Sequence, residues 1–326
     1  MKKRLMAAVL STAMAATMLL TGSISVQAAD AAAANDPAVE LIFTSVSVSG
    51  DSHTEAMYEF ADKVEELSGG SVTCKCYDNG SLFSSENEFD ALLNGDADLA
   101  YISFPTIATQ IPSYSMFASG YLFSSYEHMT SVLNGDIGLN KIRPQIEETL
   151  NIKPLSSFYL GSRVINTREK EINSYDDMNG LLLRMPNSEA WLFLGEALGA
   201  NPTPLSFSEL YTALQTGAVD GQENPLFTIY NSRFYEVQKY LSLTEHFYPV
   251  CPLMMSEITW NKLSPEQQDI VADAMKKSVD YERELAGEEL DKMLEGCKEK
   301  GMEVNEVDKA PFIEAVQPVY EKYNSQ

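Results

Sequence analysis

"SFSELYTALQTGAVDGQENP", residues 206–225, contains one full repeat of the chain's architecture. Ser206 and Glu209 stand three apart as the two ends of a capping box, which predicts a helix start. The helix should run to Thr216, with Gly217 as a left-handed terminator. Beyond that glycine the chain reads as entering a buried strand. The strand leaves as the polar cluster "DGQENP" (220–225), with Pro225 fixing the turn. The same order appears upstream. "ALLNGDADLAY" (91–101) and "ALQTGAVDGQE" (213–223) share Ala-Leu, a glycine four residues after the alanine and an aspartate three further on. Each is soon followed by a proline, Pro105 and Pro225. Each half of the chain is therefore expected to build the same helix–glycine–strand unit.

The flanking segments continue this style. "VELIFTSV" (39–46), "SVTCKCYDN" (71–79), "ADLAYIS" (97–103), "NIKPLSSFYL" (151–160) and "GLLLRMP" (180–186) read as strands. "EAMYEFADKVEELSGG" (55–70) and "SENEFDALLNG" (85–95) read as helices, each stopped by glycine. Alternating β and α elements predict an α/β fold of parallel strands covered by helices. The last third differs. Ser264-Pro265-Glu266-Gln267 offers an N-cap, an N1 proline and a glutamine that reaches back. No proline comes after it until Pro311, and Gly301 ends the apolar pattern. A helix of that length, roughly 54 Å, exceeds one domain's width, so it is expected to cross between two. Gly287 is a candidate bend.

Residues 1–28 read as a secretory signal peptide: a basic start at Lys2, Lys3 and Arg4, an apolar run from Leu5 to Leu20, and a small-x-small site ending at Ala28. Ser23 stands where a lipoprotein signal would carry cysteine, which predicts an exported protein without a lipid anchor. Removing the leader takes away those three cations and no acid, moving the formal charge from −24 to −27. Such a chain is a poor partner for nucleic acid or an anionic membrane surface. It also repels anionic ligands at long range, so an anion site must work through a few placed cations and N–H donors. About 298 mature residues suit two domains. Cys74 and Cys76 are poorly placed to bridge each other. Cys251 and Cys297 could pair only if the fold brings them together; otherwise the four cysteines are free thiols.

Catalytic signatures are missing. His53, His128 and His246 are far apart without metal-ligand spacing. There is no P-loop, no GxGxxG after a strand and no GxSxG, so neither an enzyme nor a cofactor is expected. Arg184 stands out instead. It ends the apolar run of "LLLRMPNSEAW" (181–191), just before Pro186 halts the strand. Ligands of open α/β sheets bind beyond the carboxyl ends of strands. A guanidinium there can grip a carboxylate with two parallel bonds, or pair internally with Glu189. Asn224 offers an amide to an oxygen-rich ligand, or an Asx-turn ahead of Pro225. Arg163 in "YLGSR" (159–163) is a second cation at a strand end, or a surface arginine. His53 reads more as a surface cap of the following helix than as a cleft residue.

"LRMPNSEAWLFLGEALGANPTPLSFSELYTALQTGAVDGQENPL" resembles the core of solute receptors of tripartite ATP-independent periplasmic (TRAP) transporters. The resemblance extends through "FYEVQKYLSLTEH" (234–246) and "LSPEQQDIVADA" (263–274), and upstream through "LFSSYEHMTSVLNGDIG" (122–138). It covers nearly the whole mature chain. It implies a two-lobed periplasmic binding-protein fold, a long inter-domain helix, closure on an organic acid, and delivery to two membrane subunits. Lobe I would comprise residues 29–159 plus 250–289, and lobe II residues 160–249 plus 290–326. The family's carboxylate-gripping arginine falls on Arg184, its asparagine on Asn224 and a frequent second arginine contact on Arg163. Its pocket phenylalanine falls on Phe207, which can equally staple its own helix. Ser103 lies where members vary the contact. Sialic-acid binders carry glutamate there and asparagine near Val46, and both are absent, which favours a smaller acid. Trp191 is a cleft wall or a core residue, and Asn187 could assist through water. The resulting expectation is a monomeric extracytoplasmic receptor for a dicarboxylate, a sugar acid or a 2-oxo acid. The alternative is a sugar receptor of an ATP-driven importer, with stacked aromatics and no need for arginine.

Overall fold

The computed structural model describes residues 36–158, 161–318 and 321; the leader read at residues 1–28 lies outside the described residues. Among the described residues eleven strands form two sheets: β1 (Val39–Thr44), β2 (Val72–Tyr77), β3 (Leu99–Tyr101), β4 (Ile152–Phe158), β5 (Arg163–Thr167), β6 (Leu182–Met185), β7 (Asn201–Pro204), β8 (Gly221–Pro225), β9 (Tyr240–Phe247), β10 (Cys251–Ser256) and β11 (Glu303–Glu306). The first sheet has the order β2-β1-β3-β10-β4 and the second β11-β9-β5-β8-β6-β7. Each sheet is the centre of one lobe. Neither is purely parallel, because β10 runs against β3 and β4, and β5 runs against β8 and β9. The expectation of parallel strands holds for the β-α-β units and for β11 beside β9. The antiparallel strands are β5 and β10, the strands on the far side of the passages between the sheets, from β4 to β5 and from β9 to β10.

The repeated unit folds the same way twice. Helices Glu88–Asn94 and Phe207–Thr216 end on Gly95 (φ 76°) and Gly217 (φ 75°), where a side chain would strain the backbone. After each glycine a backbone N–H, of Asp96 or Ala218, returns to the carbonyl of Ala91 or Ala213. The two echoed aspartates then do the same work. Asp98 donates its N–H to the Ile42 carbonyl on β1 and accepts the Ile42 N–H on its carboxylate (2.7 Å). Asp220 does both with Leu182 on β6 (2.9 Å each). The sequence echo is thus one device, used twice, that locks a helix end to the neighbouring parallel strand.

Helix Pro265–Glu299 has 35 residues and runs without interruption through Gly287, about 52 Å at 1.5 Å per residue. Its capping box forms as expected, Ser264 with Gln267. Val271, Ala274 and Met275 enter the first lobe's core beside Phe43 and Phe60. Further along, Leu294 and Cys297 enter the second lobe's core beside Leu210, Leu214 and Phe234. One helix therefore contributes to both cores. All four cysteines are free: Cys297 is buried in the second lobe, while Cys251 is on β10 of the first sheet, so the fold does not bring them together.

Candidate functional site

The strand ends that carry the singled-out residues open onto one cavity of about 560 Å³ between the lobes. In the first lobe the chain leaves β1 through Ser45-Val46-Ser47 and β3 through Ile102-Ser103, and all five line it. In the second lobe Arg184 is next to last in β6 and Asn224 next to last in β8. Arg163 opens β5, which runs the other way, so its first residue pairs with Pro225 at the same sheet edge. Phe207, Trp191 and Asn187 complete the expected set. All seven residues singled out from sequence line this cavity.

The two arginines have different surroundings. Arg163 is held by Glu223: Nε donates to Oε2 at 2.5 Å, and Nη2 donates to Oε1 at 2.7 Å and to the backbone carbonyl at 2.9 Å. Nη2 also donates to the Asn224 side-chain oxygen (3.0 Å), and the guanidinium carbon is 5.0 Å from the centre of the Trp191 ring. Glu223 is fully buried and also has His246 Nε2 at 3.3 Å. Burial would raise its carboxyl, but the Arg163 charge and hydrogen bond, with those of His246, outweigh this and hold it at about 2. Arg184 is buried as deeply, at 3% exposure, yet only Nε is engaged, donating to the Leu205 carbonyl at 2.9 Å. Among the described residues no acid lies within ion-pair distance of it and its Nη groups have no hydrogen-bond partner. The internal pair with Glu189 does not form. Burial lowers Arg184 to about 10, a loss that Glu223 opposes and Arg163 reinforces, so it stays charged at neutral pH. Its guanidinium carbon is 5.9 Å from the centre of the Phe207 ring.

Several readings change. "DGQENP" is not a polar exit from a strand: Gly221–Pro225 is the strand, and all five residues are buried. Burial is tolerated because each polar side chain is partnered. Gln222 donates to Asn166 (2.6 Å), and Asn224 donates to Gln222 while accepting from Arg163. Ser206 is the N-cap without a side-chain cap bond. Its hydroxyl instead reaches Glu86 Oε2 of the first lobe at 3.3 Å, so the expected capping box with Glu209 is absent. His53 is no surface cap. It is 2% exposed, lines the cavity and stacks on Tyr101 with ring centres 4.6 Å apart. Burial pulls it down to about 3, so it is neutral. Trp191 is both wall and core: it lines the cavity and packs edge-on against Phe247. Phe207 lines the cavity and packs on Phe234 (6.3 Å). Ser103 Oγ is bonded to Thr106 Oγ1 (2.8 Å), and Asn187 is exposed at the rim.

Sequence reasoning missed the acids. Asp51 caps helix Ser52–Ser68 and accepts from Thr228 (3.0 Å) and Asn231 (2.9 Å) of the second lobe. Burial raises it to about 7, against the pull of those two donors. Glu88 is 4% exposed, and burial pushes its carboxyl well above the usual range, with Thr44 opposing. In a chain with 47 acids nothing in the pattern separates these two from solvated ones. Among the described residues no helix is long and apolar enough to cross a membrane, and no group of three or more His, Cys, Asp or Glu side chains could hold a metal.

Two α/β lobes that share one helix, with a cavity between them, are the arrangement of a two-lobed solute-binding protein. The chain belongs to the bacterial extracellular solute-binding protein family 7, whose model matches residues 43–326. Members are substrate-binding receptors, not enzymes. Among similar proteins, the sialic acid-binding periplasmic protein of Vibrio cholerae is 35% identical over 265 residues, 81% of this chain and 82% of that one. A TRAP periplasmic solute-binding protein of Sulfitobacter sp., solved with bound β-D-galacturonate, superposes with a TM-score of 0.84 at 32% identity, over 88% of this chain and 95% of that one. Another from Roseobacter denitrificans, solved with 3-deoxy-D-manno-oct-2-ulosonic acid, gives a TM-score of 0.83 at 36% identity, over the same shares.

Proposed function

We propose that this protein is an extracytoplasmic receptor that binds a small organic acid through Arg184 and delivers it to the membrane subunits of a TRAP transporter. The ligand is a dicarboxylate, a sugar acid or a 2-oxo acid. The observation that carries this reading is the buried Arg184 guanidinium, charged, in the cavity wall, with its Nη groups unengaged. A ligand carboxylate supplies the missing partner as a pair of charge-assisted bonds. Asn224, already accepting from Arg163, adds an amide N–H, and Arg163 positions it. Phe207 and Trp191 exclude water from the pair. The ligands named for the relatives all carry a carboxylate, in line with this. The residues at Ser103 and Val46 favour an acid smaller than sialic acid.

The leader at residues 1–28 is removed on export, and the monomer works as two lobes, 29–159 plus 250–289 and 160–249 plus 290–326, that close about the passages between the sheets. The closed surface is what the membrane subunits read. Mass spectrometry of small molecules released from the purified protein, followed by calorimetry, tests the proposal. A carboxylate should be released, rebind one to one and be recovered unchanged by NMR. A neutral sugar, or any chemical conversion, would contradict it.

A further inference from the structure

The cavity is polar in an uneven way. Both cations that line it, Arg163 and Arg184, come from the second lobe. Among the described residues the first lobe contributes four acids, Asp51, Glu86, Glu88 and Asp90, and no cation. Two of these are engaged across the cleft: Asp51 by Thr228 and Asn231, and Glu86 by Ser206. Glu88 differs. It opens helix Glu88–Asn94 and is 4% exposed, and among the described residues its Oε1 is buried without a hydrogen-bond partner. Thr44 Oγ1, at the end of β1, is likewise buried without a hydrogen bond of normal geometry, and it adjoins the Glu88 carboxyl, whose rise it opposes. Leaving such oxygens unpaired is costly, and a ligand that brings a donor to them is favoured accordingly.

We infer that Glu88 determines specificity: it accepts a hydrogen bond from a hydroxyl on the part of the ligand remote from its carboxylate, so the site selects hydroxylated monocarboxylates over dicarboxylates of the same length. This rests on Arg184 being the carboxylate grip. With the carboxylate drawn to the arginine wall, the far end of the ligand meets the acid wall. A hydroxyl there gives Glu88 Oε1 a donor in normal hydrogen-bond geometry. A second carboxylate finds no cation on that wall and must lose its water without compensation. It also opposes the charge of the acids around it.

Calorimetry on the whole protein separates these outcomes. Galactonate and galactarate share one carbon chain and differ only in a hydroxyl or a carboxylate at the far end; gluconate and glucarate form a second pair. At least one aldonate should bind about 30-fold or more tighter than its aldarate, and Glu88→Gln should narrow that gap by about tenfold. An aldarate that binds as tightly as its aldonate overturns the inference, as does an unchanged ratio in a normally melting Glu88→Gln protein. If that variant does not fold, the wild-type ratio decides alone. If succinate binds in an Arg184-dependent way while no aldonate does, the arginine reading stands and this inference falls. If no carboxylate binds, both fall.

Discussion

Two arginines at one sheet edge have opposite duties, and their neighbours set the difference. Arg163 is locked by the bidentate carboxylate of Glu223, whereas Arg184 has only a backbone carbonyl. Glu223→Ala should therefore act on stability first. It leaves a buried guanidinium without its counter-charge, a loss of about 3 kcal/mol, visible as a lowered Tm. An unchanged Tm would mean that the Arg163–Glu223 pair is dispensable. The same carboxylate sets a pH dependence. Its folded value, about 2, lies below the ordinary 4.5, so its stabilisation is fully present above pH 4.5 and is lost as pH falls through 2. Arg184 was legible in the sequence because a permanent charge interrupts an apolar run before a proline. Glu223 was not, because an acid inside a polar stretch looks solvated until its partner, 60 residues away, is known.

At the scale of elements, the paired units make a matched test. Asp98 and Asp220 each accept a backbone N–H from the adjacent parallel strand, but Asp98 also accepts from the Thr259 hydroxyl. Asp98→Ala should cost about 2 kcal/mol and Asp220→Ala less, measured by denaturant unfolding; the reverse order would contradict the shared device. The entry to helix Ser52–Ser68 sets a pH balance. Asp51, raised to about 7 from 3.8, contributes stability that is full below pH 3.8 and is lost as pH rises through 7. His53, lowered to about 3 from 6.5, contributes stability that is full above pH 6.5 and is lost as pH falls through 3. The two slopes oppose each other between about pH 4 and 6.5. Asp51→Asn should leave His53 unopposed, so Tm falls more steeply on acidification than in the wild type. Parallel Tm profiles would refute the balance. The helices, glycine stops and long C-terminal helix were readable, because apolar spacing and caps are local signals. The failed capping box at Ser206 was not, because its hydroxyl is taken by Glu86, brought there by the meeting of the two lobes.

For the molecule as a whole, charge and site pull in opposite directions. A chain with a formal charge of −24, more negative still without its leader, repels anions at a distance. Salt screens that repulsion over about 8–10 Å, so added salt should speed ligand association in stopped-flow measurements, and a slowed association would place the controlling field elsewhere. Two lobes and an α/β plan could be read from length and alternation. The antiparallel passages and the acid wall could not, since both arise only when the two sheets face each other. What holds an anion inside such a molecule is a local, dry, charge-assisted contact at Arg184. Calorimetry of the co-purifying acid against wild type and Arg184→Ala tests this most directly. The variant should keep its melting behaviour and lose about 3 kcal/mol of binding, roughly a hundredfold or more. A correctly folded Arg184→Ala protein that binds the same acid with undiminished affinity would contradict the account.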